Sequence, residues 1–225
     1  MKTAKKRQNQ TRDQLLEAAC LVFAEKGYRD ATIADICRQA GANIAAVNYH
    51  FHDKETIYAE AWRVGFHRSL KAHPADSGVP AGAPPEQRFR GRILALIQRF
   101  ADPASHELEM IHKEMANPTG LLAEVGRECI RPIRQGLEAI VRELLGPGAG
   151  NQQVLLCLVS IRAQCFDRIV RQRRRDTFTK AGTKNGVEAA RIPIEQIADH
   201  VTRFSLAGIR DVRRQIESGT IDEPE

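Results

Sequence analysis

The residues best placed to do chemistry lie between positions 43 and 54, in the run NIAAVNYHFHDK. Read at helical spacing, Ile44, Val47 and Phe51 form an apolar stripe that faces inward. Ala45, Ala46, Asn48, Tyr49 and His50 then face outward. A helix face that meets only water carries Lys and Glu, whereas this one carries two small residues followed by an amide, a phenol and an imidazole. Small side chains let a helix approach base edges and touch a thymine methyl, and a carboxamide such as that of Asn48 pairs bidentately with adenine. Tyr49 and His50 have donors for phosphate oxygens. Lys54 stands at the start of the following helix, where its charge opposes the helix dipole unless an anion sits there. Thr32 offers a similar phosphate contact through its hydroxyl or amide.

These residues need two short helices and a tight turn to position them. Thr32 caps the first, whose apolar stripe is Ile33, Ile36, Cys37 and Ala40, and Gly41 stops it. Ala42 follows, and Asn43 caps the second helix. Helix, glycine turn and short helix make a helix-turn-helix, whose second member lies in the DNA major groove. An earlier helix is announced by a capping box at Thr11 and Gln14, carries Leu15, Ala19, Val22 and Phe23 inward, and ends at Gly27. A later one opens at Asp53 and buries Ile57, Ala61, Trp62 and Phe66.

Residues 72–85 hold four prolines and two glycines, and so read as a linker or mobile loop. Helical periodicity then returns over 86–101, 105–116, 119–145, 151–173 and 193–216, and the polar stretch 174–192 reads as a loop. No segment alternates as a strand does, so the fold class is all-α: an N-terminal helix-turn-helix domain followed by a C-terminal helical body. The division falls into residues 1–55, with a basic arm, and residues 56–225. At 42% hydrophobic and 28% charged residues, wholesale disorder is excluded, and the 5% aromatic content favours aliphatic helix packing.

Charge alone does not decide for nucleic acid. The chain carries +6, but residues 1–62 hold nine Lys and Arg against eight Asp and Glu. The excess sits in the arm of Lys2, Lys5, Lys6, Arg7 and Arg12, which serves equally as a solubilising tail or as a backbone and minor-groove contact. Arg171, Arg173, Arg174 and Arg175 end a helix, where cations suit the dipole, and read first as a solvated turn. Five cysteines form no CxxC pair and read as reduced core thiols of a cytoplasmic protein. No 18-residue apolar run is present for a membrane span. His106 and His112 are six residues apart, about 600° around a helix, so one helix cannot chelate a metal with both. No nucleotide, hydrolase or metalloprotease motif appears; the expectation is no enzyme, no cofactor and no metal.

The run ATIADICRQAGANIAAVNYHFHDKETIY resembles the DNA-binding domain of the TetR family of repressors, over residues ~10–60. Gly41, the run Tyr49-His50-Phe51, and Lys54-Glu55 stand where that family has equivalents. Asn48 replaces the usual aromatic, and Asn43 a small hydroxyl cap. Glu114-Met115, Pro118-Thr119 and the closing run from His200 through Arg203 to Ile209 are similar to a CecR-like subgroup. The resemblance implies a homodimer with a ligand-responsive C-terminal body. Its two recognition helices would meet a palindromic double-stranded DNA operator at half-sites about 34–36 Å apart.

The expected function is therefore a transcriptional repressor released from its operator by a small-molecule effector. The expected DNA-binding residues are Thr32, Asn43, Ala45, Ala46, Asn48, Tyr49, His50 and Lys54. Effector residues are not readable from periodicity; Glu114, Met115 and Phe166 are mere candidates. The apolar residues Val154, Leu155, Leu158, Val159, Ile161 and Phe166, with Ile194, Ile197, Val201, Phe204 and Ile209, serve equally for a monomer core or a dimer face. Two other readings stay open: an α-helical ligand-binding or catalytic protein whose N-terminal bundle is structural, and a DNA-binding activator or architectural protein.

Overall fold

Helix α1 (Lys2–Asp30) begins nine residues before the expected cap at Thr11. The preceding segment is rich in Lys, Ala, Arg and Gln, all good helix formers, and extending a helix costs less than starting one. Thr11 is thus an interior residue, and the basic arm continues α1 as helix. Gly27 breaks α1 with φ 77° and ψ 175°, as its position in the sequence indicates. The computed structural model describes residues 2–179 and 192–220; for residues 2–8 and 167–179 only the helical backbone is described.

The chain forms two compact units. The first comprises the chain up to Ala72 together with Pro103–Arg131, and the second His73–Asp102 together with the described residues from Pro132 onward. In the first, α1 packs against α2 (Ile33–Ala40), α3 (Ile44–Phe51), α4 (Lys54–Ala72) and α6 (His106–Ala116). Leu15, Leu16, Ala19 and Phe23 of α1 are at most 1% exposed, as are Ile36, Phe51, Ile57 and Trp62 of the helices in the same unit. Fully burying side chains of this size is worth about 1.5–3 kcal/mol each. The Trp62 indole donates to the Glu107 carbonyl at 3.1 Å, so the largest buried ring leaves no polar atom unpaired.

In the second unit α5 (Pro85–Ala101), α8 (Asn151–Thr179) and α9 (Ile194–Glu217) enclose Phe89, Ile93, Ile97, Val154, Ile161, Val201 and Ile209. The 73–84 segment is a chain of turns folded onto α5, with the Ser77 hydroxyl donating to the Gly91 carbonyl at 3.0 Å. A Cβ at Gly91 would stand 2.4 Å from the Asp76 carbonyl oxygen, so only glycine permits this approach.

Helix α7 (Ala123–Leu145) starts later than the expected residue 119, because Gly120 takes φ 80° before it. Pro132 lies inside α7, and the division between the two units falls there. Helix α8 runs to Thr179, so the expected loop over 174–192 is helical through its first six residues. The remainder to residue 191 lies outside the described residues, as do the side chains of the Arg171–Arg175 cluster. Among the described residues no strand forms, and no helix is long and apolar enough to cross a membrane. The chain is all-α.

Candidate nucleic-acid interface

Two caps and one left-handed glycine set the geometry of α2 and α3. Thr32 and Asp35 close a capping box: the Asp35 amide donates to the Thr32 hydroxyl at 3.1 Å, and the Thr32 amide to the Asp35 carboxylate at 3.1 Å. The Thr32 hydroxyl also donates to Asp35, at 2.8 Å. Both donors of Thr32 expected to reach phosphate are therefore engaged within α2. Lys26 reaches the same carboxylate at 3.0 Å. The hydrogen bond from Lys26, then that from Thr32, holds the Asp35 carboxyl far below the usual carboxylate range.

Gly41 ends α2 at φ 63°, ψ 30°, with no heavy atom within 4 Å of a would-be Cβ. The side chain of Asn43 then accepts the Ala46 amide at 2.9 Å and starts α3.

Val47 and Phe51 anchor α3 at 1% and 0% exposure. Ala45 and Asn48 are exposed, Tyr49 is 65% exposed, and Ala46 and His50 are half-buried. Ile44 departs from the sequence expectation: it is 54% exposed and joins the outward face. It occupies the first position of α3, one turn before Val47. Its periodicity reads as core, and nothing in the sequence distinguishes it from a buried residue. The outward face is thus Ile44, Ala45, Asn48 and Tyr49, with the Tyr49 and His50 rings edge to face at 5.0 Å.

Between α3 and α4 the Asp53 amide donates to the Phe51 carbonyl at 2.8 Å, with His52 at φ 66°, ψ −49°. This is a γ-turn of the rare, strained kind. It places Asp53 to cap α4, accepting the Thr56 amide at 2.7 Å. That hydrogen bond lowers the Asp53 carboxyl below its ordinary value. A carboxylate thus already occupies the amide end of α4, where a phosphate was expected to sit.

The Lys54 ammonium lies 4.5 Å from the Tyr28 ring centroid and donates to the Arg29 carbonyl at 3.4 Å. Burial lowers its pKa, with the negative charge of Asp30 opposing the shift. Arg12, counted with the basic arm, is turned inward. It pairs with Glu60 and lies over the Phe51 ring, 5.3 Å from its centroid.

The effector candidates have separate surroundings within their own units. Met115 is 70% exposed, Phe166 packs edge to face on Phe100 at 4.5 Å, and Glu114 binds the turn after α6.

Residues 15–61 match the family described as bacterial regulatory proteins, tetR family. Residues 85–209 match that described as HTH-type transcriptional dual regulator CecR, C-terminal domain. The HTH-type transcriptional dual regulator CecR of Shigella flexneri is 29% identical over 158 residues, 65% of this chain and 70% of that protein. The HTH-type transcriptional repressor KstR2 of Mycobacterium tuberculosis is 38% identical over 87 residues, 39% of this chain and 42% of that one. Among solved structures, a transcriptional regulator from Pseudomonas aeruginosa PAO1 aligns with a TM-score of 0.66 at 16% identity, covering 95% of each chain. The regulator FadR from Bacillus subtilis, in complex with stearoyl-CoA, aligns at 0.63 with 18% identity, covering 87% of this chain and 97% of that one. These relatives are named as transcriptional regulators.

Proposed function

The chain belongs to the TetR family of bacterial regulatory proteins and carries a CecR-type C-terminal domain, and from that premise we propose a cytoplasmic repressor that leaves its operator when a small-molecule effector binds. The outward face of α3 carries this reading. Ile44, Ala45, Asn48 and Tyr49 are exposed, α3 contains no acidic residue, and Val47 and Phe51 fix its rotation.

Ile44 and Ala45 supply apolar contacts to thymine methyls, and Asn48 a bidentate pair to adenine. Ala46 lets the helix approach the groove, while Tyr49, His50, the side-chain amide of Asn43 and Lys54 hold the phosphate backbone. Thr32 sits beside them and fixes the first turn of α2. Residues 1–55 read DNA, and residues 56–225 bind effector and form the dimer.

The homodimer has its own support in the second unit. On α8, Leu155, Leu156 and Val159 are 55%, 59% and 49% exposed, and on α9 Phe204 is 64% exposed, while Val154, Ile161, Val201 and Ile209 fill the core. Apolar side chains left uncovered on the two closing helices suit a second copy of the chain. Two copies read a palindrome, and an effector that prefers one arrangement of the pair shifts the population between two states.

The test is selection of duplexes from a random pool with the purified protein at moderate salt, repeated with candidate effectors. An inverted repeat with half-sites one helical turn apart is expected. If the protein shows no preference for its own promoter region over random duplex, the reading is wrong. The operator's position relative to the promoter separates repression from activation.

A further inference from the structure

Glu114, part of the subgroup motif and an effector candidate, gathers hydrogen bonds from two separate elements. Its carboxylate accepts the Thr119 amide at 2.8 Å, the Gly120 amide at 2.8 Å and the Thr119 hydroxyl at 2.8 Å. These three close the turn that follows α6. A fourth donor comes from α4: the Tyr58 hydroxyl, at 3.2 Å.

Tyr58 is 1% exposed, and its ring centroid lies 5.0 Å from that of Tyr28 and 4.8 Å from that of Phe23. Tyr28, half-buried, is the ring that carries the Lys54 ammonium on its face. A continuous set of contacts, all within the first unit, thus joins the turn after α6 to the lysine at the start of α4.

An ammonium has three N–H donors. The Arg29 carbonyl takes one and the Tyr28 ring face takes another, so one remains for a phosphate oxygen. A cavity of about 400 Å³ opens beside this arrangement, lined by Gly27, Tyr28, Arg29, Tyr58, Lys113 and Glu114. The Tyr28 ring lines this cavity on one side and packs against Tyr58 on the other. We infer that Tyr28 is the positioning residue of the Lys54 phosphate contact, and that Glu114 sets Tyr28 through Tyr58. The turn after α6 and the DNA backbone are then read by the same lysine. This inference rests on the DNA-binding reading above.

The test is a double-mutant cycle on the selected operator, measured by fluorescence anisotropy across a KCl series and corrected for the fraction folded at each point. Lys54→Ala should flatten the salt dependence by roughly 0.9 in log–log slope for each phosphate that the lysine no longer neutralises. Tyr28→Leu should weaken binding by about threefold to tenfold, the range of a partly desolvated cation–π contact. Tyr28→Phe, which keeps the ring face, should restore it. In the Lys54→Ala background Tyr28→Leu should cost nothing further. Tyr58→Phe keeps the ring but releases Glu114, and should show a smaller effect that also vanishes without Lys54.

If Tyr28→Leu costs the same with and without Lys54, the ring serves the fold and the inference is overturned. If Tyr28→Leu does not fold, the Tyr58→Phe and Lys54→Ala cycle decides in its place, and additivity there overturns it equally. An unchanged operator affinity in Tyr58→Phe removes Glu114 from the path. Failure of the wild-type protein to select any operator is a different result and counts against DNA binding itself.

Discussion

Asn48→Ala gives the sharpest separation between reading DNA and merely folding. The carboxamide of Asn48 is exposed, and no described residue bonds it, while its backbone carbonyl accepts the His52 amide at 3.2 Å. Removing it takes nothing from the core, since Val47 and Phe51 alone seat α3, so the change in stability should stay within about 0.5 kcal/mol. On DNA a bidentate amide–adenine pair discriminates by about 1–3 kcal/mol. The proposed symmetric dimer forgoes it twice, about 2–6 kcal/mol, which is a weakening of roughly 30-fold to more than 10⁴-fold. The salt slope should not change, because a neutral amide releases no counterion. The assay is anisotropy on the selected operator and on two variants with the adenine replaced in both half-sites, alongside urea denaturation. Wild type should lose affinity on the variants, and Asn48→Ala should bind all three alike. If the alanine protein keeps wild-type discrimination, or weakens equally on random duplex, Asn48 is not a base reader and the assignment of the α3 face fails.

Three further outcomes follow from the packing and the caps. Gly91→Ala should destabilise the protein by about 1–3 kcal/mol in urea, since its Cβ would stand 2.4 Å from the Asp76 carbonyl oxygen; an unchanged midpoint would show that the 73–84 turns yield at no cost. Asp35, held below the ordinary carboxylate pKa by Lys26 and Thr32, stabilises the fold above about pH 4, the unfolded value, and loses that contribution as pH falls through its folded pKa. The stability gap between wild type and Asp35→Asn should therefore narrow as pH drops below about 4, and a gap that stays constant would mean that the carboxylate charge is not what the box uses. Val159→Glu combined with Phe204→Glu should convert a dimer to a monomer in sedimentation, with circular dichroism unchanged. A dimer that survives both charges would place its interface elsewhere.

The sequence by itself determined those features that depend on near neighbours in the chain. Thr32 as a cap, Gly41 as a left-handed stop and Asn43 as a second cap appear where expected, and the helix expected to open at Asp53 starts at Lys54 with Asp53 as its cap, because each is decided within four residues by a side-chain hydrogen bond or a φ that only glycine adopts freely. The all-α class follows equally from periodicity. Thr11 misled for a related reason. A cap marks a helix start only if the chain before it leaves the helix, and helix-favouring residues precede it.

Tertiary structure decided what lies far apart in sequence. Whether Ile44 is core or surface depends on whether another element covers it, and among the described residues it stays 54% exposed. Leu155 and Val154 are adjacent and both apolar, yet only the packing of α5 and α9 assigns one to the core and leaves the other uncovered. The tie between Lys54 and Glu114 spans sixty positions and passes through two tyrosines whose spacing carries no local pattern. A ring face, a carbonyl and a carboxylate become one path only when α1, α4 and α6 close on a shared core, and no short-range rule of the chain encodes that meeting.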